Sequence, residues 1–415
     1  MEKTFIYFQP EYVSKFRCNG QLCQANCCKY WNIEIDKKTY NQYSSIRPKK
    51  QAKEVTQQIK YLEKEDQYLI HLDEKRACPF LTKDNWCSIQ RKYGENFLSK
   101  TCSTYPRRTY NLGEFFERSL SLTCPLVADL VLIPEKMTFE QIEISEKIHS
   151  NDEKINISNV HLPSSFLQYF VEIQYTAISI LQERTLTLDQ RLIVLGFFCD
   201  QLKEIIEKNK IENIETLSLI YNSEDFITTQ VPTLINSITF DVKSYIKTIF
   251  NIFEILYDNG NMCNSEDAQY LNYIIKSMNI KVDKSNTISI SELVENYNNL
   301  NSVRQSYIKQ YSSIFENYLV QEWFYNIYPW SKSNSISHSY GIFLLTYKML
   351  ELFFICMASL INNNGKVDIK RKDIIDLIRW FVVKIDHNQS YISTVTNHLE
   401  ENENIIKIMR SLLQG

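Results

Sequence analysis

Glycine and histidine are both scarce, at 8 and 6 among 415 residues. None of the glycines forms Gly-x-Gly-x-x-Gly or a P-loop, so a crevice built from strand, glycine loop and helix is not expected. Among residues 1–124 the only histidine is His71, which reads as a surface or satisfied core residue on a strand. No Ser-His-Asp or Cys-His set can be assembled from spacing. The start, Met1 to Pro10, has no apolar run long enough for a secretory signal. The best candidate for a membrane span, Tyr340 to Ile361, carries Lys348 and Glu351. Charges at mid-span are costly in lipid, so it reads as a buried core helix and no membrane span is expected. Runs of Arg and Lys interleaved with aromatics are missing, which disfavours nucleic-acid binding. No repeat of fixed period occurs. A cytoplasmic location follows as the expectation, and there thiols stay reduced unless they bind metal.

Hydrophobic residues make up 44% and charged residues 23%, the mix of a soluble globular protein long enough to bury a core without disulfide staples. The net charge of −3 conceals an asymmetry. Residues 1–124 hold 21 basic and 14 acidic residues, and the remainder 25 and 35. A basic shell would offset an anionic thiolate centre, and a solvated basic face explains the excess equally well.

Cysteine is what the chain has, and in one place. Eight of 11 cysteines lie in the first 124 residues: Cys18, Cys23, Cys27, Cys28, Cys78, Cys87, Cys102 and Cys124. Cys199, Cys263 and Cys356 are scattered. Clustering of this kind suits a disulfide framework, a structural zinc site or an iron–sulfur cluster, because thiolate is a soft ligand that selects such metals. The pairs do not repeat as zinc fingers do, and Cys27 and Cys28 are adjacent, so one of the two serves as ligand while the other packs or serves a second site. Spacing leaves the choice open among iron–sulfur, zinc and disulfide. Beside the cysteines, Tyr105 stands next to the pair Arg107-Arg108, whose guanidinium forks suit a carboxylate, although a solvated loop pair reads as well.

The expected fold is mainly α: a small cysteine-rich α+β N-terminal metallocluster domain, residues 1–150, followed by an all-helical domain, residues 151–415. The polar stretch 150–159 is the boundary, and a second soft point lies at 258–264. Residues 1–35 read as irregular. Asp36 caps a helix through Tyr40 and Tyr43. Pro48 opens another, whose buried face is Ala52, Val55, Ile59 and Leu62. Tyr68, Ile70 and Leu72 alternate as a strand. Cys78 to Ile89 reads as a hairpin with its tip at Lys83-Asp84-Asn85, drawing Cys78 towards Cys87, and a short helix runs from Gln90 to Lys100. A second hairpin reverses near Gly113, and Cys124-Pro125 opens a helix through Leu132. Beyond Pro163 the candidate helices are 164–182, 188–208, 233–256, 266–278, 291–327, 337–361, 368–385 and 401–413. The aromatic stripe Phe315, Tyr318, Trp323, Phe324, Tyr328 and Trp330 reads as core.

Particular stretches carry a resemblance: Gln9-Pro-Glu-Tyr-Val-Ser-Lys-Phe-Arg-Cys18, Cys23-x3-Cys27-Cys28-x2-Trp31, Cys78-Pro-Phe-Leu81, Trp86-Cys87-Ser-Ile89 and Cys102-x2-Tyr105-Pro106-Arg107. Together they resemble the flagellin lysine-N-methylase family, and Phe315-Glu-Asn-Tyr-Leu-Val320 is similar to that family's C-terminal half. The cysteine pattern also resembles a broader group of zinc- or iron-chelating domains. The resemblance implies methylation of flagellin lysines with S-adenosylmethionine as donor. It also implies a [4Fe-4S] cluster on the clustered cysteines, with zinc as the alternative metal. Tyr105 and Arg107 are then the first residues to test for catalysis. The rival readings are a non-enzymatic zinc or iron chelator and a protein whose thiols cycle through disulfides.

Overall fold

The computed structural model describes residues 2–413 apart from 19, 21–22, 24–26, 30–32, 64–65, 75, 114, 148–153, 157–163, 259–264, 281–288, 364–368, 387–388 and 401–403. The expected boundary at 150–159 and the soft point at 258–264 lie largely outside these residues, as does Cys263.

Eight strands are described: β1 Glu2–Pro10, β2 Glu34–Ile35, β3 Ile59–Leu62, β4 Gln67–Ile70, β5 Arg107–Asn111, β6 Phe115–Leu120, β7 Phe139–Lys147 and β8 Lys154–Asn156. The larger sheet has the order β7-β1-β6-β5-β8 and the smaller β2-β4-β3. In the larger sheet β1 lies between β7 and β6. It runs parallel to β6, with Phe8 opposite Glu117, and antiparallel to β7 over all nine of its residues. Residues 2–10, expected to be irregular, are therefore a strand. Its partners lie more than a hundred residues on, and a short run of consecutive apolar residues does not by itself announce a strand.

The N-terminal helices are α1 Tyr12–Lys15, α2 Lys37–Ser44, α3 Lys49–Thr56, α4 Ser88–Tyr93, α5 Lys100–Thr104 and α6 Pro125–Val131. Asp36 caps α2 by accepting from the Thr39 backbone N–H at 2.9 Å, and Pro125 opens α6, both as expected. The face expected on α3 is cut short. Ala52 and Val55 are buried on the helix, but Ile59 and Leu62 belong to β3, paired with Ile70 and Gln67. A spacing of three and four fits a helix, yet cross-strand pairing with β4 claims these residues instead.

The helical part comprises α7 Phe170–Leu181, α8 Leu188–Glu207, α9 Asn213–Tyr221, α10 Val231–Asn236, α11 Val242–Asp258, α12 Ser265–Ser277, α13 Ile290–Asn298, α14 Asn301–Gln310, α15 Ser312–Tyr325, α16 Ile336–Asn363, α17 Arg371–Asp386, α18 Gln389–Glu400 and α19 Ile405–Leu412. Helical α7–α19 after a small α+β region match the mainly α expectation. Two expected helices are broken: 233–256 into α10 and α11, and 291–327 into α13, α14 and α15. Capping residues act at some starts: Thr187 and Gln190 form a capping box on α8, and Ser289 and Glu292 another on α13. The strand β7 and the helices α9 and α18 had no expected counterpart.

Among the described residues, two apolar cores result. The main core joins Phe8, Tyr12, Val127 and Val131 to the helices α7–α19, and it holds Phe315, Tyr318, Trp323, Phe324, Tyr328 and Trp330, as their helical spacing suggested. A smaller core gathers Ile33, Ile35, Tyr43, Ala52, Val55, Ile70, Phe80 and Ile89 between α2, α3 and the smaller sheet. Helix α16 is long and apolar enough to cross a membrane by composition, and most of that stretch is covered by other helices. Its charges are neutralised in place. Lys348 meets Asp189 of α8 at 3.2 Å and also Glu351, while Arg304 of α14 binds Asp189 and approaches Glu351 at 3.5 Å. Two cations and two anions thus cancel where water is excluded.

Candidate functional site

The smaller core is where the thiols gather. Cys78 is one of its buried members, and Cys28, Cys87 and Cys102 pack against it. Each arrives on a different piece of chain. The Cys78 backbone N–H donates to the Cys28 carbonyl at 2.7 Å, and Lys29 bridges Ala77, so the 27–29 turn is laid along the segment before Cys78. Leu81 bridges Cys87, and the Thr82 N–H donates to the Trp86 carbonyl at 2.8 Å. The expected hairpin is present as a tight loop, with Asn85 at φ +56° at its tip. Cys102 lies on α5, whose cap Ser99 accepts from the Cys102 N–H at 3.2 Å. Asp36 ties α5 to α2 by accepting from the Lys100 N–H at 3.0 Å. Gly20 (φ +43°) closes the first loop over the hairpin: a Cβ there would stand 2.2 Å from the Trp86 ring.

The electrostatics follow from this crowding. Cys28 donates its S–H to the Cys27 sulfur, which raises the Cys28 thiol and lowers that of Cys27. Burial pushes Cys78 up to about 12, with Cys102 and Cys87 adding to it. Burial likewise lifts Cys102 to about 11, beside Cys87 and Cys27, and Cys124 to about 11, beside Cys23 and Cys27. Cys124 packs in the main core rather than the smaller one. Cys199 and Cys356 are buried in the helical part, apart from this group. None of the ten described cysteines is joined in a disulfide. The donor chemistry of reduced sulfurs around one small core suits a soft metal. Among the described residues, no three His, Cys, Asp or Glu side chains stand close enough to hold one ion.

Tyr105 and Arg107 lie beside this region. The Tyr105 hydroxyl is 3.0 Å from the Thr123 hydroxyl, and burial first, then Cys124, pushes its phenol well above the ordinary range. Arg107 and Arg108 do not form a joint fork, because neighbours on β5 project to opposite faces. Arg107 lies over the Phe16 ring at 5.4 Å. Arg108 lies over the Tyr325 ring at 4.5 Å and donates to the Asn326 side-chain oxygen at 3.3 Å. Arg107 has other company, which residue spacing did not reveal. Burial, then Arg118 and Arg17, lower its guanidinium, and Cys18 opposes them. Arg17, Arg107 and Arg118 thus form a basic patch next to Cys18. The one readable signal was that Arg17 immediately precedes Cys18.

Residues 174–413 match the family model for the FliB lysine N-methylase C-terminal domain, and this range contains Phe315–Val320. Over 149 residues the chain is 30% identical to a lysine-N-methylase of Salmonella typhimurium, covering 35% of this chain and 37% of that protein. A lysine-N-methylase of Salmonella choleraesuis matches to the same extent. The flagellar biosynthetic protein FliU of Salmonella muenchen is 29% identical over 165 residues, covering 37% of this chain and 98% of that protein. The alignment thus spans little more than a third of the curated lysine-N-methylases. No solved structure matches the chain. Since the matched domain occupies more than half of its residues, the chain belongs to the FliB lysine N-methylase family.

Proposed function

We propose that this protein is a cytoplasmic protein-lysine N-methyltransferase acting on flagellin, with S-adenosylmethionine as methyl donor and a [4Fe-4S] cluster on its clustered cysteines. The observation that carries the reading is the family match over 174–413, with relatives named lysine-N-methylase and a flagellar biosynthetic protein. Cys28, Cys78, Cys87 and Cys102, around the smaller core, are the first candidate ligands, with Cys18, Cys23, Cys27 and Cys124 as the remaining ones. When bound, an iron–sulfur centre supplies an anionic, redox-capable site and contributes to folding of the segments that hold it.

The chain's own residues divide the remaining work. The Arg17, Arg107 and Arg118 patch holds an anionic group, such as the carboxylate of the donor's methionine portion. Tyr105 keeps its proton at neutral pH, so it orients a group by hydrogen bonding and does not act as the base. The acceptor lysine must lose its proton before its amine attacks the methyl carbon, and desolvation against apolar walls lowers its pKa.

The test is purification without exposure to air. Iron, acid-labile sulfide and transfer of methyl groups from S-adenosylmethionine to flagellin lysines, read by mass spectrometry, are the expected result. Bound zinc with no transfer overturns the reading in favour of a chelating protein.

A further inference from the structure

Among the described residues, Glu117 is the one buried carboxylate whose two oxygens have no hydrogen-bond partner. It sits in β6, 1% exposed, on a strand otherwise suited to packing. Its cross-strand partners are Phe8 on β1 and Tyr110 on β5, and paired residues share one face of the sheet. That face is aromatic. Phe8 lies 4.9 Å from the Tyr175 ring, 5.8 Å from Phe139 and 5.9 Å from Phe324, and Phe139 lies 5.2 Å from Phe324. Tyr175, from α7, is 40% exposed and brings the group to solvent. Its phenol is raised by burial and then by Glu117, so ring and carboxyl are near neighbours. Arg108, on the same face of β5, is directed to Asn326 and the Tyr325 ring.

A carboxyl in this position costs stability, and among the described residues no hydrogen bond or opposite charge repays it. Aromatic faces attract cations, and a carboxylate below them supplies the opposite charge. We propose that Glu117, with Phe8, Phe139, Tyr175 and Phe324, is a binding site for an alkylammonium group, and that its occupant is the ε-ammonium of a substrate lysine. The inference rests on the lysine-methylase reading for the identity of the occupant, and on the orphaned carboxyl and its rings for the site. Tyr175 is the gate, since exposed side chains change rotamer rapidly. Binding precedes chemistry here: Glu117 releases its own proton to solvent as the lysine cation enters, and then takes the ammonium proton, which leaves the reactive amine and a neutral carboxyl.

The experiment uses the full chain and Nα-acetyl-lysine methylamide, with the norleucine analogue as the uncharged control, followed by calorimetry. Wild type is expected to bind the lysine probe and to bind the norleucine probe about tenfold more weakly. Glu117→Gln and, separately, Tyr175→Ala should each weaken the lysine probe by about tenfold. Tyr175 is exposed, so its variant keeps the fold if the glutamine variant does not. Equal binding of the two probes by wild type, or unchanged lysine affinity in both folded variants, overturns the inference. Methyl transfer to flagellin is measured in parallel. Transfer by wild type with an unchanged KM for flagellin in both variants removes the site and leaves the methylase reading standing. Lysine binding lost in the variants, without transfer by wild type, does the reverse.

Discussion

Lys348 of α16 reaches across the helical core to Asp189 of α8, 3.2 Å away and 159 residues earlier in the chain. The same ammonium also meets Glu351, and Arg304 completes the set. Removing one cation strands an anion in a dry interior. Lys348→Met should cost about 3–5 kcal/mol, measured by urea denaturation. Pairing it with Glu351→Leu leaves Arg304 and Asp189 matched, and should recover a large part of the loss. Equal stability of the single and double variants would show that the charges do not depend on each other.

Acid should act on Asp189 and Glu117 in opposite senses. Burial raises the Asp189 carboxyl, but Lys348 and Arg304 outweigh it and hold it below the usual carboxylate range. Its contribution is therefore complete above the unfolded pKa and is lost as pH falls through the depressed folded value. Glu117 is raised by burial alone, with Tyr110 and Phe8 beside it, Tyr175 above and Arg108 engaged elsewhere. Its contribution is complete below the unfolded pKa and declines as pH rises towards the folded value. Thermal melts should show Asp189→Asn losing most stability near neutral pH. Glu117→Gln should gain stability near neutral pH and little in acid.

Cys28→Ala, Cys78→Ala and Cys102→Ala should each lose iron from anaerobically purified protein together with methyl transfer. Cys199→Ala and Cys356→Ala should keep both and lose only packing, at about 1–2 kcal/mol. Iron and sulfide assays separate the two groups, and equal metal in all five variants would refute the assignment.

Gly20→Ala tests the closure of the first loop. A methyl at this position meets the Trp86 ring and takes a left-handed backbone, worth about 1 kcal/mol before any clash. The loop carrying Cys18 and Cys23 should lift from the hairpin. Faster proteolytic cleavage in that loop and reduced iron content are the expected readings.

Arg107→Lys and Arg107→Ala address the basic patch. If Arg107 holds the donor's carboxylate through its fork, both variants should raise KM for S-adenosylmethionine, the lysine variant by less. An unchanged KM in both would limit Arg107 to packing over Phe16.

Local rules were legible wherever the partner was near in the chain. Asp36 at the start of α2, Gly113 (φ +93°) between β5 and β6, and Pro125 after Cys124 act through their own neighbours. The burial of Lys348 and Glu351 on an apolar helix followed from the cost of charge in lipid. Strand β1 was not legible, because its edges are satisfied by β6 and β7 far along the chain. The same holds for Glu117. A glutamate between Phe116 and Arg118 looks ordinary until the sheet turns it towards Phe8 and Tyr175.

The amino-acid order determined that this protein is mainly helical, that its thiols are concentrated before residue 125, and that its long apolar segment carries charges needing partners. Those properties depend on composition, periodicity and neighbours within a few residues. Tertiary structure alone decided which thiols share the smaller core, which arginines stand beside Cys18, and which carboxyl is left without a partner. Each of these depends on distances between segments remote in sequence, and such distances are set only when the cores close.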